Sequence, residues 1–176
     1  MRLRQIAVPL ALALLPLAFA LPALADGGGT VASIVVLGGS LVITVPDSVL
    51  TLAHGFSSVN GSSLSGLLGQ VQVSDARGAS AGAGWIVSVS STAFAPLAGP
   101  SIAAAAVGYL TGPITTIGTA TVTANNPASL ATLVHAVTAT AISGQNSATW
   151  NPTITVGLPG STAAGDYTGT ITHSVT

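Results

Sequence analysis

Residues 167–176 read YTGTITHSVT, and their side chains alternate in type along the chain. One side of an extended chain would carry Tyr167, Gly169, Ile171, His173 and Val175. The other side would carry only Thr and Ser residues. Because successive side chains of a β-strand face opposite sides of its sheet, this alternation is typical of a half-buried antiparallel strand.

Four earlier segments alternate in the same way, namely those around Leu41-Ile43-Val45, Val71-Val73, Trp85-Val87-Val89 and Ile154-Val156-Leu158. Weaker strand patterns lie near residues 30–37, 49–52, 102–110, 114–123 and 130–137. Two stretches are ambiguous, because the alanine run 103–106 favours a helix and 127–134 also fits a short helix. Turn residues such as Asn60-Gly61, Arg77-Gly78 and Gly99-Pro100 separate the segments. About eight to ten short strands predict one all-β domain, a sandwich or a barrel.

The first 25 residues have the pattern of a signal peptide. Arg2 and Arg4 precede an apolar stretch, and Ala23-Leu24-Ala25 offers the small side chains that a signal peptidase reads. We therefore expect residues 1–25 to be removed before Asp26, which leaves a secreted domain at 26–176. The alternative is an uncleaved membrane anchor, because about 20 apolar residues would span a bilayer. Prolines within the stretch disfavour a regular spanning helix.

The composition restricts the partners of the exported part. The chain contains no Cys, no Lys and no Glu, and beyond residue 25 its charged residues are Arg77 and four Asp residues. Binding to nucleic acid or to anionic lipid depends on clusters of basic residues. We therefore expect neither nucleic-acid binding nor membrane insertion after signal cleavage. Thr, Ser and Gly instead indicate a polar, uncharged surface, suited to glycans or to copies of the same chain.

The residue types that carry catalysis are scarce. The serine-hydrolase pattern Gly-x-Ser-x-Gly is absent from the sequence. The histidines His54, His135 and His173 are far apart and lack metal-ligand spacing, and Asp47 and Asp75 are typical of turn residues whose side chains bond nearby amides. We expect a protein that is not an enzyme and that holds no metal or cofactor.

The aromatic residues allow two interpretations. Trp85 opens an alternating strand, so it is either a core residue or an exposed platform for stacking on a sugar ring. Trp150 precedes Asn151-Pro152 at a strand end and is expected to be partly exposed. His173 is expected in the core or at its rim with satisfied ring nitrogens. Tyr167 is expected to fix a neighbouring loop through its hydroxyl.

Two segments carry a family resemblance. Residues 75–78 with Gly84-Trp85-Ile86-Val87, and the distal segment 164–175, resemble the two signatures of the WxL-domain family of Gram-positive cell-surface proteins, most closely its secreted Ala/Gly/Thr-rich actinobacterial variants. Val87 stands where the family has Leu, and His173 and Val175 stand where it has a second Trp and Leu.

The resemblance implies an immunoglobulin-like β-sandwich that associates non-covalently with peptidoglycan through these motifs. We therefore expect a secreted, non-catalytic protein, either extracellular or held at the cell wall, with cell-wall glycan or another surface protein as its partner. The alternative is a structural subunit of a surface polymer, fimbrial or coat-like, whose terminal strand pairs edge to edge.

Overall fold

The computed structural model describes Ile34, residues 38–46 and residues 62–176. The predicted signal peptide at 1–25 and its cleavage site lie outside the described residues. The same holds for the strands predicted near 30–37, apart from Ile34, and near 49–52, and for Asp47, His54 and Asn60. The division into 1–25 and 26–176 stays a prediction.

The described residues form β-strands, one 3-10 turn at Ala104–Ala106, and no α-helix. The strands are β1 (Leu41–Thr44), β2 (Ser63–Leu67), β3 (Val71–Ser91), β4 (Ala95–Pro96), β5 (Val107–Leu110), β6 (Ile114–Ala124), β7 (Val134–Trp150), β8 (Thr153–Gly157), β9 (Tyr167–Thr168) and β10 (Ile171–Val175). The alanine run therefore forms a single 3-10 turn, and no helix forms at 127–134.

A large antiparallel sheet is built around β3 and β7. Its order is β1-β3-β7-β6, and β10 joins the same side of β3 as β1. The strand β1 pairs with the beginning of β3, with Leu41 opposite Asp75, and β10 pairs with its end, with Val175 opposite Val87. Each of the two short strands therefore covers a different half of β3.

A smaller antiparallel sheet has the order β2-β8-β5, and β4 and β9 form a separate pair. Alternate residues of the large and the small sheet enter one hydrophobic core, among them Val71, Val87, Val107, Ile154 and Val156. The alternation predicted for the segments around Val71, Trp85 and Ile154 is confirmed, since every second side chain there is buried. The all-β sandwich is confirmed.

The middle of β3 corrects a predicted turn. Arg77-Gly78 does not separate two strands, because β3 runs on through it with several register shifts against β7. Gly78 and Gly82 have φ of +65° and +92°, which is a conformation that favours glycine. Between Asp75 and Trp85 the strand carries more residues than the facing part of β7, so it bulges outward.

The terminal segment 167–176 is not one strand. Tyr167–Thr168 pairs with β4, whereas Ile171–Val175 pairs with β3. Between them the backbone N–H of Thr170 donates to the hydroxyl of Thr92, and a Cβ at Gly169 would lie 2.9 Å from the Phe94 ring. The chain leaves the β4–β9 pair and joins the large sheet at residues 169–170, beside Phe94 and Thr92. Alternation of side-chain types alone does not predict these contacts.

Candidate functional site

Trp85 lies in the core and not on a surface. Its side chain is 1% exposed, and its indole Nε1 donates to the amide oxygen of Asn146 at 3.0 Å. The Asn146 nitrogen in turn donates to the Asp75 carboxylate at 3.2 Å. Of the two interpretations of Trp85, the structure supports the core residue.

Asp75 anchors this network from within β3. Its carboxylate accepts a bond from the Arg77 guanidinium at 2.9 Å and also one from the Arg77 backbone N–H. The predicted bond to a nearby amide is confirmed, although the residue is in a strand and not in a turn. Hydrogen bonding from the Arg77 side chain holds the pKa of Asp75 below its ordinary value, against the opposing effect of burial. Arg77 also donates to the carbonyl of Gly84 at 3.1 Å and so closes the bulge of β3.

The prediction that Trp150 is partly exposed is wrong. The residue is 2% exposed because its side chain packs into the core between the sheets. At this point β7 has Val71 opposite on one side and Ile114 on the other. Its indole Nε1 donates to the hydroxyl of Tyr109 at 2.9 Å. Position 150 therefore lies inside the sheet, although it is the last residue of its strand.

His173 meets the same tyrosine from β10. Its Nε2 lies 3.1 Å from the Tyr109 hydroxyl, and the two rings pack edge to face with centroids 5.5 Å apart. Burial lowers the pKa of His173 to about 4, and burial also raises the pKa of Tyr109. The expectation of a core or rim histidine is confirmed, and the ring is neutral at physiological pH.

The remaining residues of the two motifs also belong to the interior or its rim. Val87 is fully buried, and Val175 and Tyr167 are half-buried against the core. The hydroxyl of Tyr167 donates to the carbonyl of Ala163 at 3.1 Å, so it fixes the preceding loop as expected. The motif residues thus hold the sandwich together and offer no exposed indole to a ligand.

The solvent side of the large sheet has a different character. Its outward side chains, here named the hydroxyl face, are mostly Ser and Thr with one Gln. Around the beginning of β3 they are Thr44, Gln72, Ser74, Thr115, Ser147 and Thr149; around its end they are Ser88, Ser90, Thr121, Thr123, Thr138, Thr140, Thr172 and Ser174. The other members of this face are Val42, Ile86, Ile117 and His135. Among its described residues the face carries no Asp, Glu, Lys or Arg.

Strand register aligns these side chains in rows. One row crosses four strands as Thr44, Gln72, Thr149 and Thr115, each directly opposite the next. Neighbouring strands lie about 4.8 Å apart, so this row extends over roughly 14 Å. Two further pairs, Thr121 with Thr140 and Thr123 with Thr138, face each other between β6 and β7. The result is an ordered array of groups that both donate and accept hydrogen bonds.

Other candidate sites are weak in the part of the chain that the structure describes. No cluster of three His, Cys, Asp or Glu side chains occurs there, and no described helix is long and apolar enough to cross a membrane. An open depression of about 380 Å³ lies beside β5 and β8, lined by Ala106, Gly108, Asn126, Pro127 and Gly157 among others. Tyr109 and Leu110 also line it, and none of its described lining residues is charged.

Comparison with protein-family models, with curated proteins and with solved structures gives no match to this chain. The WxL-type resemblance therefore stays a prediction. Inspection of single strands does not reveal the hydroxyl face, although its Ser and Thr residues recur at every second position. Asn146 and Tyr109 were also missed, because only the tertiary fold makes them partners of the two tryptophans. Asn146 lies opposite Asp75 and not Trp85, and Tyr109 belongs to the other sheet from Trp150.

Proposed function

We propose that this protein is an exported, non-catalytic cell-surface protein whose sandwich associates non-covalently with the cell wall through the hydroxyl face. The observation that carries the proposal is the charge-free array of hydroxyl groups on the large sheet. The signal-peptide pattern and the WxL-type resemblance support the same placement at the cell surface.

The chemistry of the face suits a neutral polymer rich in hydroxyl and amide groups, such as the glycan of peptidoglycan. Each Ser or Thr hydroxyl donates one hydrogen bond and accepts others, so a row of them pairs with a sugar chain in more than one register. A row of roughly 14 Å is long enough for about two to three sugar rings, and directly bonded or water-bridged contacts would add up along it.

The buried tryptophans have another role in this proposal. Trp85 and Trp150 each use the indole N–H inside the fold, on Asn146 and on Tyr109. They shape the sandwich that displays the face and do not themselves contact the wall. Replacement of the family's second Trp by His173 is then compatible with wall binding, because that position serves the interior.

Binding through uncharged groups has a measurable signature. Salt screens attraction between charges, and the hydroxyl face carries no Lys or Arg that would pair with anionic wall polymers. We therefore expect wall binding to change by less than about twofold between low and high salt.

The test is co-sedimentation of the purified exported chain with isolated cell walls. The double variant Thr121→Val/Thr140→Val removes one facing pair of hydroxyls while keeping β-branched side chains, and it is expected to bind several-fold more weakly. Its matched control is Thr132→Val/Thr168→Val, which removes two exposed hydroxyls that lie off this face. No sedimentation above that of an unrelated protein would refute wall binding, and equal binding by both variants would refute the role of the face.

A second candidate function is that of a structural subunit of a surface polymer. It is favoured by the uncharged edges of the large sheet. The prediction that the terminal strand pairs edge to edge with another copy is corrected in part, because residues 171–175 already pair along one side with β3. Mass that grows without limit as the protein is concentrated would support a polymer, and a fixed small mass would refute it.

A further inference from the structure

The strand β6 is a long edge of the large sheet. It spans 11 residues and pairs with β7 on one side, from Ile114 opposite Trp150 to Ala124 opposite Val137. In the described part of the chain no strand pairs with its other side. The edge therefore presents backbone groups that still need a hydrogen-bond partner or water.

The hydrogen-bonding pattern between β6 and β7 shows which backbone N–H and C=O groups of β6 point away from β7. The N–H of Asn125 donates to the carbonyl of Ala136 at 2.9 Å, so Asn125 faces β7. In an antiparallel ladder such residues alternate with residues whose N–H and C=O point away. Val122 and Ala124 therefore direct their backbone groups outward, whereas Thr121 and Thr123 direct theirs to β7.

The outer edge of β5, unlike that of β6, is covered by another segment of the described chain. Along the outer side of β5, Tyr109 donates its N–H to the carbonyl of Pro127, and Val107 accepts from the N–H of Leu130, both at 2.9 Å. A segment of the protein's own chain thus covers that edge. No described segment covers β6 in this way.

The strand β6 also lacks most of the features that keep edges from pairing. It contains no charged residue and no proline. Register shifts between Gly118 and Thr121 interrupt it, because the facing part of β7 carries extra residues there, and they leave one regular stretch on each side. The φ of Gly118 is +83°. Ile117 is 71% exposed on this strand, and the half-buried Val122 and Ala124 line its inner side.

We infer that β6 pairs antiparallel with β6 of a second copy of this chain, about a twofold axis perpendicular to the sheet. A neutral strand meets no charge repulsion from its own copy, and antiparallel pairing is self-complementary, because each residue repeats its contact across the axis. Thr residues brought opposite each other would add cross-strand contacts. Val122 and Ala124 would then exchange backbone hydrogen bonds with the partner strand.

A closed dimer fits the edges better than a filament does. A filament would require β6 to pair with the opposite side of the large sheet. That side consists of β1 and β10, which are only 4 and 5 residues long. Pairing β6 with itself matches two edges of equal length. Since the twofold axis keeps the same face of each sheet on the same side, the dimer also joins two hydroxyl faces into one surface.

The dimer does not depend on wall binding, so the two proposals can fail separately. The experiment measures the mass of the purified exported chain by sedimentation velocity over a wide concentration range, without cell walls, together with amide hydrogen exchange. A reversible dimer is expected, in which exchange of the Val122 and Ala124 amides slows as the concentration rises. A monomer at every concentration would overturn the inference, and so would species that keep growing.

Two variants locate the interface. Val122→Pro removes an outward N–H without removing a bond to β7, and it is expected to weaken the dimer at least tenfold. Thr121→Lys places a charge at the edge, while its cross-strand partner Thr140→Lys places the same charge one strand further in and is the matched control. A dimer that is weakened by Thr121→Lys but not by Thr140→Lys would support β6 as the interface, even if the proline variant does not fold. Equal dimerisation of the two Lys variants and the wild type would overturn it.

Discussion

The indole N–H of Trp150 donates to the hydroxyl of Tyr109 at 2.9 Å and thereby links the two sheets of the sandwich. Trp150 ends β7 in the large sheet, and Tyr109 lies in β5 of the small one. The same hydroxyl meets Nε2 of His173 from β10 at 3.1 Å. With Nε2 of the neutral His173 ring as acceptor, the hydroxyl accepts a hydrogen bond from the indole N–H and donates one to Nε2, which gives the indole N–H, the hydroxyl and Nε2 each a partner.

Removal of that hydroxyl tests its contribution to stability. Tyr109→Phe keeps the ring but leaves the Trp150 N–H and the His173 nitrogen without this partner. An unpaired buried polar group costs about 1–3 kcal/mol, so the free energy of unfolding measured with urea should fall by at least that much. Tyr167→Phe is the control, because its bond to Ala163 is exposed, and it should cost less than about 1 kcal/mol. Equal losses in the two variants would contradict the bridging role.

The low pKa of His173 predicts a loss of stability in mild acid. The folded chain takes up this proton only near pH 4, whereas the unfolded chain takes it up near the ordinary value of 6.5. Between these two values the unfolded state binds more protons, so the free energy of unfolding decreases as the pH falls. The loss is at most about 3 kcal/mol.

The measurement is a set of urea unfolding curves between pH 7 and pH 4, compared with His173→Gln, which cannot titrate. The slope of stability against pH in this range should be smaller in the variant. The contribution of Asp75 adds only at lower pH, because its lowered folded pKa favours the folded state until the pH falls below about 3.8. Parallel slopes in the two proteins would rule out His173 as the cause.

The network around Trp85 predicts a strong effect of Asn146. Asn146→Ala leaves the Trp85 indole without its acceptor and Asp75 without one donor, and it opens a small cavity. We expect a loss of about 2–4 kcal/mol in the free energy of unfolding. Thr140→Ala, an exposed change on the same strand, should cost about 1 kcal/mol or less. A loss for Asn146→Ala as small as that of this control would contradict the network.

Arg77 should matter more than an ordinary surface arginine. Arg77→Ala leaves the fully buried carboxylate of Asp75 without its ion-pair partner, a change expected to cost about 2–4 kcal/mol. Asp166→Asn also removes one charge, but at an exposed position, and should change stability by less than about 0.5 kcal/mol. Thermal unfolding of both variants at neutral pH, compared with the wild type, measures the difference. A fall in Tm no larger for Arg77→Ala than for Asp166→Asn would show that the ion pair does not stabilise the fold.

Gly118 should resist substitution because of its backbone conformation and its surroundings. Its φ is +83°, and an added Cβ would clash with the backbone carbonyl oxygen of Gln145. Gly118→Ala is therefore expected to lower the free energy of unfolding by about 2 kcal/mol or more. Gly165→Ala is the control, because nothing lies within 4 Å of an added Cβ there, and it should have little effect. Similar stability of the two variants would mean that the backbone around Gly118 and Gln145 adapts to the added methyl group.

The alternation of apolar and polar side chains along single strands predicted most of the fold. The buried positions of β3 and β8, including Val73, Val89 and Val156, follow from the period of two in the sequence. The same alternation predicted one continuous strand at 167–176 and was wrong there. A close contact with Phe94 and a bond to Thr92 divide it, and both lie more than 70 residues away along the chain.

The alternation of side-chain types thus determined by itself that the protein is all-β and which side of most strands is buried, because side-chain direction in a strand is a local property. Pairing between strands is not local, and only the tertiary structure decided it. The course of β3 along β7 placed Asn146 beside Trp85, and the packing of the two sheets placed Tyr109 beside Trp150. That packing buried an indole that was expected to be partly exposed. Strand pairing also aligned separate Ser and Thr residues of neighbouring strands into one hydroxyl face and left β6 at its edge.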